Sequence, residues 1–416
     1  MSTFPSRLSQ IWPFSSSYGP VLLVFMFYLA LVRLLRYRRR DTLLKRYNYP
    51  TRESYSKMTV DDAQAIQIEL NELEFPFMFQ TALELALFKT YGIPTISTLL
   101  THTRQLTTRP LAPKRYVDTS VLIHEFCGNP RSSSRYQQSI ARMNYLHSVY
   151  LKDARISNAD LLYTLSLFAL EPMRWMARYE WRELGELEKA AVGTFWCQVG
   201  RDMEVGYGEL EGAEGGWRDG LEWLEDVEAW SRRYEERCMV PHGNNKVAAD
   251  RTTELLLWGM PEGMRERGVK VVSVLMEERL RKAMMYPPPP ASYTRLLTTT
   301  FTLRKLALRH LTLPRLLRRK FLSPANKHGR YHPNSYANTP LYVKPTLWQR
   351  MSPQAWAFWL VGKPIPGDQE VDLQPEGYDL WDVGPKSFKG EGRESMVGDM
   401  ERIGVGMGEG RCPFSL

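Results

Sequence analysis

Cysteine is scarce and scattered in this chain: four residues in 416, at Cys127, Cys197, Cys238 and Cys412, with no CxxC pair. Such spacing offers neither a disulfide framework nor a structural zinc site, and it suits a reducing compartment. No N-x-S/T sequon occurs, so nothing marks the body for a glycosylating lumen. HExxH, a Walker loop, a GxSxG elbow and a haem-thiolate pattern around any cysteine are all missing. Their absence sets aside the readily legible zincins, P-loop enzymes, serine hydrolases and thiolate-ligated haem proteins. Alternating apolar and polar runs are few, which leaves little material for a sheet. What is present is 43% hydrophobic and 12% aromatic residues, enough to bury the core of one large domain or two ordinary ones.

The net charge of +9 is concentrated in two places. Arg33, Arg36, Arg38, Arg39, Arg40, Lys45 and Arg46 against Asp41 directly follow the most apolar run of the chain. A second block, Arg304 to Arg330, carries basic residues and no acidic one. The remainder is mildly acidic, so the basicity flanks membrane-facing segments and does not predict a nucleic-acid groove. The apolar run, Tyr18 to Leu35, is uncharged from Val21 to Val32. Extended back towards Trp12, with Arg33 snorkelling, it reaches about the twenty residues a bilayer requires. A cleaved signal peptide fits less well: only Arg7 precedes the run and no small-x-small site follows it. The positive-inside rule puts the arginine-rich side and the body in the cytosol, with the N-terminal arm on the lumenal side.

These signals predict a mainly α protein. A lumenal arm (1–17) leads into a single-pass transmembrane anchor (18–36), then a helical catalytic core (37–286). Last come a Pro break, a basic amphipathic segment and a wrapping Pro/Gly-rich tail (287–416). Tyr91-Gly92-Ile93-Pro94 reads as a helix stop, Ser157 with Asp160 as a capping box, and Pro172 as the end or kink of the helix it starts. Leu184 to Val199 reads as amphipathic, and Pro287 to Pro290 as a boundary. The basic block from Arg304 to Lys320, interleaved with leucines, fits either the anionic cytosolic leaflet or a helix packed on the body. Gly404 to Gly410 follows no strand and opens no helix, so it reads as a flexible tail and not a phosphate loop.

The residues that invite chemistry lie in two helices. In Arg142 to Tyr150, Ile140, Met143, His147 and Tyr150 or Leu151 recur at i, i+3, i+7, which turns His147 into an apolar stripe. An inward imidazole either finds an ordinary hydrogen bond or offers its lone pair to a metal such as haem iron. Arg115, Thr119 and Leu122 or Ile123 share a face of the preceding helix. An arginine entering that face needs an anion: a haem propionate or bound oxygen species on one reading, Asp118, Glu125 or Glu180 on the other. The other six histidines form no local metal pair, and a surface or hydrogen-bonding role is the default for each. Trp175, Tyr179, Trp181 and Trp196 read as core aromatics.

Taken together, RYVDT (Arg115 to Thr119), RMNYLHSVY (Arg142 to Tyr150), DLLYTLSLFALEPMRW (Asp160 to Trp175), YEWR (Tyr179 to Arg182) and GTFW (Gly193 to Trp196) resemble the fungal ER-bound oxygenases of the mycophenolic-acid MpaB type. PTRES (Pro50 to Ser54), EFPFMF (Glu74 to Phe79), FKTYGIPTIS (Phe88 to Ser97), RLRKAM (Arg279 to Met284), PGDQ (Pro366 to Gln369), GPK (Gly384 to Lys386) and CPF (Cys412 to Phe414) extend the likeness over nearly the whole chain. The family is in turn distantly similar to bacterial latex-clearing rubber oxygenases, helical b-type haem proteins. In those, an R-x-x-K-T helix lines the haem pocket and a histidine about thirty residues later is the axial ligand. The resemblance implies haem b on His147, with Arg115 and Thr119 in the pocket as propionate anchor or oxygen-side donors. It implies oxidative cleavage by dioxygen of a C=C bond in the prenyl chain of a lipophilic secondary metabolite, a meroterpenoid or related compound, at the endoplasmic reticulum membrane. Asp118 stands where the pattern has lysine, so a cation at that position is not carried over.

Overall fold

The architecture comes from a computed structural model that describes residues 18–369, 372–406 and 412–414. The N-terminal arm and most of the glycine-rich stretch before Cys412 lie outside the described residues. Among those described there are helices and two isolated antiparallel bridges, Leu322 with Pro333 and Tyr331 with Tyr378, but no extended strand.

Helix α1 (Gly19–Arg36) starts on Pro20 and ends on Arg33 and Arg36, which suits the negative end of its dipole. It is long and apolar enough to cross a bilayer, and most of its side chains are exposed. Helix α2 (Arg38–Tyr47) continues it almost directly, and Arg39 pairs with Glu74. Helix α3 (Val60–Glu69) runs through a wide π turn at Leu70–Glu74 into α4 (Pro76–Thr90), and α5 (Pro94–His102) follows the Gly92/Pro94 stop. Next come α6 (Ala112–Gly128), α7 (Ser134–Lys152), α8 (Asn158–Tyr179), α9 (Glu186–Asp202), α10 (Gly220–Cys238), α11 (Gly243–Leu256), α12 (Arg265–Leu275) and α13 (Glu278–Ala283). The Pro287 to Pro290 break leads to α14 (Ala291–His310), and the tail holds α15 (Leu347–Arg350), α16 (Pro353–Leu360) and α17 (Arg393–Val405).

The core is built around α9, which packs between α3 and α10, while α4 lies along α8. Apart from Lys189, helix α9 is buried from Leu187 through Cys197, Glu188 and Thr194 included, so it is a central helix more than the amphipathic one its sequence suggested. Gly193 permits this: a Cβ there would sit 2.0 Å from the Gly220 carbonyl oxygen, so only glycine lets α9 and α10 meet backbone to backbone. Helix α8 starts on the expected Ser157/Asp160 capping box but runs on through Pro172 to Tyr179. The missing N–H costs the Phe168 carbonyl its usual donor, yet packing on α4 carries the helix past it. Below this interface Lys89 is buried among Glu171, Glu235 and Glu277 at 3.2, 3.0 and 2.9 Å.

The tail departs from the expected irregularity. Helix α17 packs along α7, with Gly392 at its start lying so close that a Cβ would meet the Tyr145 ring at 2.4 Å. The basic segment is helical only to His310, and several of its charges serve the body. Arg304 pairs with Glu180 at 2.7 Å, Lys305 caps the Ala177 and Arg178 carbonyls at the end of α8, and Arg318 reaches Glu69 at 3.2 Å.

Candidate active site

Helices α4 to α8 and the tail enclose a cavity of about 1160 Å³, counting its open mouth. Most of its wall is apolar: Leu87, Ile96, Leu99, Leu122, Met143, Leu146, Leu161 and Phe388. Arg115, Asp118 and Thr119 enter it from α6, and His147 and Tyr150 from α7. The two-helix grouping expected from the sequence is therefore brought together in one place. Its clear interior is about 180 Å³, below the roughly 300–1,000 Å³ that ligand pockets usually enclose.

His147 makes no hydrogen bond to any described residue. Its imidazole faces the cavity with protein packed around it. Burial first, then the nearby positive charge of Arg115, pushes its pKa down from 6.5 to about 4. At neutral pH it is an uncharged ring with a free nitrogen lone pair, the state a metal ligand requires. The imidazoles of His124 and His332 behave differently. His124 contacts Ser120 at 2.6 Å and Gln80 at 2.6 Å, and His332 contacts the Tyr342 carbonyl at 2.9 Å and Asn326 at 3.2 Å. Both are satisfied core histidines, as is usual for buried polar groups. His147 is the exception.

Arg115 is the second exception. The three carboxylates considered as its partners are engaged elsewhere. Asp118 takes Lys114 at 2.6 Å and the Tyr342 hydroxyl at 2.7 Å, Glu125 takes Arg135 at 2.6 Å and Tyr378 at 2.5 Å, and Glu180 takes Arg304. Among the described residues the Arg115 guanidinium has no ion pair and donates no hydrogen bond. A half-buried cation left in this way can receive an anionic ligand. Thr119 plays a smaller part than expected: its hydroxyl donates to the Arg115 carbonyl at 2.9 Å, so its proton is committed to its own helix. No group of three His, Cys, Asp or Glu side chains among the described residues could hold a metal by itself. A lone neutral imidazole in an apolar cavity with an unpaired cation suits a metal carried in an anionic macrocycle better than a bare ion.

No family model matches the chain. Among curated proteins, it is 41% identical over 414 residues to an ER-bound oxygenase, mpaB', of Penicillium brevicompactum, covering 98% of both chains. It is 39% identical over 389 residues to mpaB of the same organism, covering 92% of this chain and 93% of that one. To mpaB of Penicillium roqueforti (strain FM164) it is 46% identical over 259 residues, 62% of this chain and 87% of the relative. The chain belongs to the mpaB family of ER-bound oxygenases. It is accordingly an oxidoreductase, and α1 is the helix suited to anchoring an mpaB-type enzyme in a membrane.

Two functional residues of this mpaB-family chain escaped the sequence reading. Lys114 donates to the Gly384 carbonyl at 2.8 Å as well as to Asp118, so a cation does stand beside the position where Asp118 replaces the pattern's lysine. Arg142, fully buried, donates to the carbonyls of Val383, Phe388 and Glu391 at 2.8, 2.9 and 3.0 Å. Together they fasten the segment that supplies Gly384, Pro385 and Phe388 to the cavity wall. Gly384, at φ +126°, lies against Leu146 next to His147. The only sequence signal for this was the GPK motif and an arginine inside an apolar helix face.

Proposed function

We propose that this oxygenase holds haem b in the cavity through His147 and uses dioxygen to cleave a C=C bond in the prenyl, farnesyl-like side chain of a fungal meroterpenoid or related secondary metabolite. The single observation that carries the reading is the pair of unsatisfied groups, a neutral imidazole and an unpaired guanidinium, in one apolar cavity. Haem, when bound, supplies the oxygen chemistry. The protein's part is to ligate with His147, to hold a propionate or other anion with Arg115, and to keep water from the apolar wall around the prenyl chain. Thr119 fixes the turn of α6 that presents Arg115. Asp118 is neutralised by Lys114 and Tyr342 and contributes position, not charge.

The body faces the cytosol in this reading, with the enzyme a single-pass protein of the endoplasmic reticulum. The support is the arginine-rich stretch directly after α1, the scarce and unpatterned cysteines and the missing sequons. A prenylated substrate partitions into the bilayer, so an anchor keeps the cavity where the substrate is concentrated. No nucleic-acid partner is invoked.

The test is the visible spectrum of detergent-solubilised protein. A Soret band is expected in the wild type and is expected to be lost in His147→Ala. A full band in that variant sinks the ligand assignment, and its absence from the wild type sinks the haem. Protease protection on microsomes tests the topology: a protected body would reverse it.

A further inference from the structure

The tail carries a patch that neither the core nor the cavity uses. Leu347, Trp348, Met351, Trp356, Trp359 and Leu360 are 83, 85, 62, 47, 57 and 72% exposed within fourteen residues. Helix α16 is two-faced. Ala355 is buried, and Phe358 packs on Tyr336 and Trp258 with ring centroids 5.6 and 5.0 Å apart. Trp356, Trp359 and Leu360 form the other, outward face. Soluble surfaces rarely gather so many large apolar side chains. Between Lys344 and Gly367 there is no acidic residue, while Lys344, Arg350 and Lys363 are basic.

The segment after α14 touches the anchor at one end and shares a cavity with α16 at the other. On α1, the Tyr28 hydroxyl donates to the Leu311 carbonyl at 2.8 Å and Arg36 to the Thr312 carbonyl at 3.2 Å. The segment just beyond, with Leu316 and Leu317 92 and 85% exposed, is thereby held at the anchor's end. Two residues further, Arg319 lines a second cavity, on the far side of α6, together with exposed Phe77 and with Gln354 of α16.

We propose that α15 and α16 form a second membrane contact, a monotopic element whose tryptophans and leucines enter the headgroup and acyl boundary of the bilayer that α1 crosses. Tryptophan is enriched at that depth, and basic flanks match an anionic leaflet. The proposal rests on α1 spanning the bilayer. It makes the body lie down on the membrane at two points, with the second cavity's rim between them.

The experiment uses full-length protein, one copy per nanodisc, in a Cys238→Ser background because the other three cysteines are buried. A polarity-sensitive fluorophore is placed on Trp359→Cys, on Leu22→Cys of α1, and on Glu262→Cys as an exposed control. Lipid-borne doxyl quenchers are expected to quench the labels at 359 and 22, and aqueous iodide to quench 359 several-fold less than 262. A label at 359 that iodide quenches as strongly as at 262, while 22 is lipid-quenched, overturns the second contact and leaves the anchor standing. Failure of lipid quenching at 22 overturns the anchor and this proposal with it. Shielding of 359 from both quenchers, or only when two copies share a disc, indicates a protein partner and also overturns it. A Trp356→Lys/Trp359→Lys variant, altering only exposed positions, is expected to lower lipid quenching of a label at Trp348→Cys.

Discussion

Arg142 is a buried cation with no carboxylate in ion-pair contact among the described residues, and its replacement by methionine isolates what it does. The guanidinium is fully buried, feels Asp382, Asp118 and Asp379 only at a distance, and is compensated directly by three backbone carbonyls of a segment more than 240 positions later. Methionine keeps most of the side chain's bulk and removes the charge. The helix core then gains, because a buried cation no longer has to be desolvated. The tail loses three hydrogen bonds at roughly 1–1.5 kcal/mol each, about 3–4.5 kcal/mol in all. These terms fall on different parts of the molecule. Global stability should change by no more than about 1–2 kcal/mol, whereas opening of the 383–391 segment should become about 150- to 1,500-fold more frequent, at about 1.4 kcal/mol per tenfold. Hydrogen exchange read by mass spectrometry resolves the two. The peptide spanning Val383 to Glu391 should lose protection by that factor while α8 and α9 keep theirs. Unchanged exchange in the segment, or an equal loss everywhere, refutes the reasoning.

Lys89→Met should behave in the opposite way. It leaves Glu171 with Arg174 alone and Glu235 with only the Tyr163 hydroxyl and no cation in ion-pair contact among the described residues, so a global loss of about 3–5 kcal/mol is expected in denaturant titration, and a loss below about 1 kcal/mol contradicts the cluster's role. Burial depresses both His147 and His124 from 6.5 to about 4. The unfolded chain therefore binds protons in that window that the folded chain refuses, and stability falls as pH drops from 6.5 to about 4, then levels off. His124→Gln should flatten part of that slope in melting temperature against pH, and an identical slope would show that the protons go elsewhere.

The helical class, the anchor, the capping box at Ser157 and the inward turn of His147 were legible because each depends on residues within two turns of one another. The alignment of Arg115 with His147 was legible only through the family pattern, since periodicity sets the face of a helix but not what that face meets. The fastening of the tail was not legible. Lys114 and Arg142 bind carbonyl oxygens of Gly384, Val383, Phe388 and Glu391, and a carbonyl acceptor leaves no trace in side-chain identity. The near-complete burial of α9 was hidden for a related reason. Glu188 suggests an exposed face until Arg182 is seen to neutralise it at 2.6 Å. Pro172 does not end α8, because a local rule about helix ends is overridden by contact with α4.

The wall that Gly384 to Phe388 adds to the cavity also sets an order of events in time. His147 leaves the ribosome about 240 residues before Gly384, which at about 5–20 residues per second is roughly 10–50 s. Throughout that interval α1 can already be inserted and α4 to α8 already packed, yet the pocket stands open along one side. An enzyme of this design closes its pocket only once the 383–391 segment has been made. A ligand retained by that segment cannot be held before then, so a chain truncated before Val383 would keep α4 to α8 and its anchor and still be unable to close around what it binds.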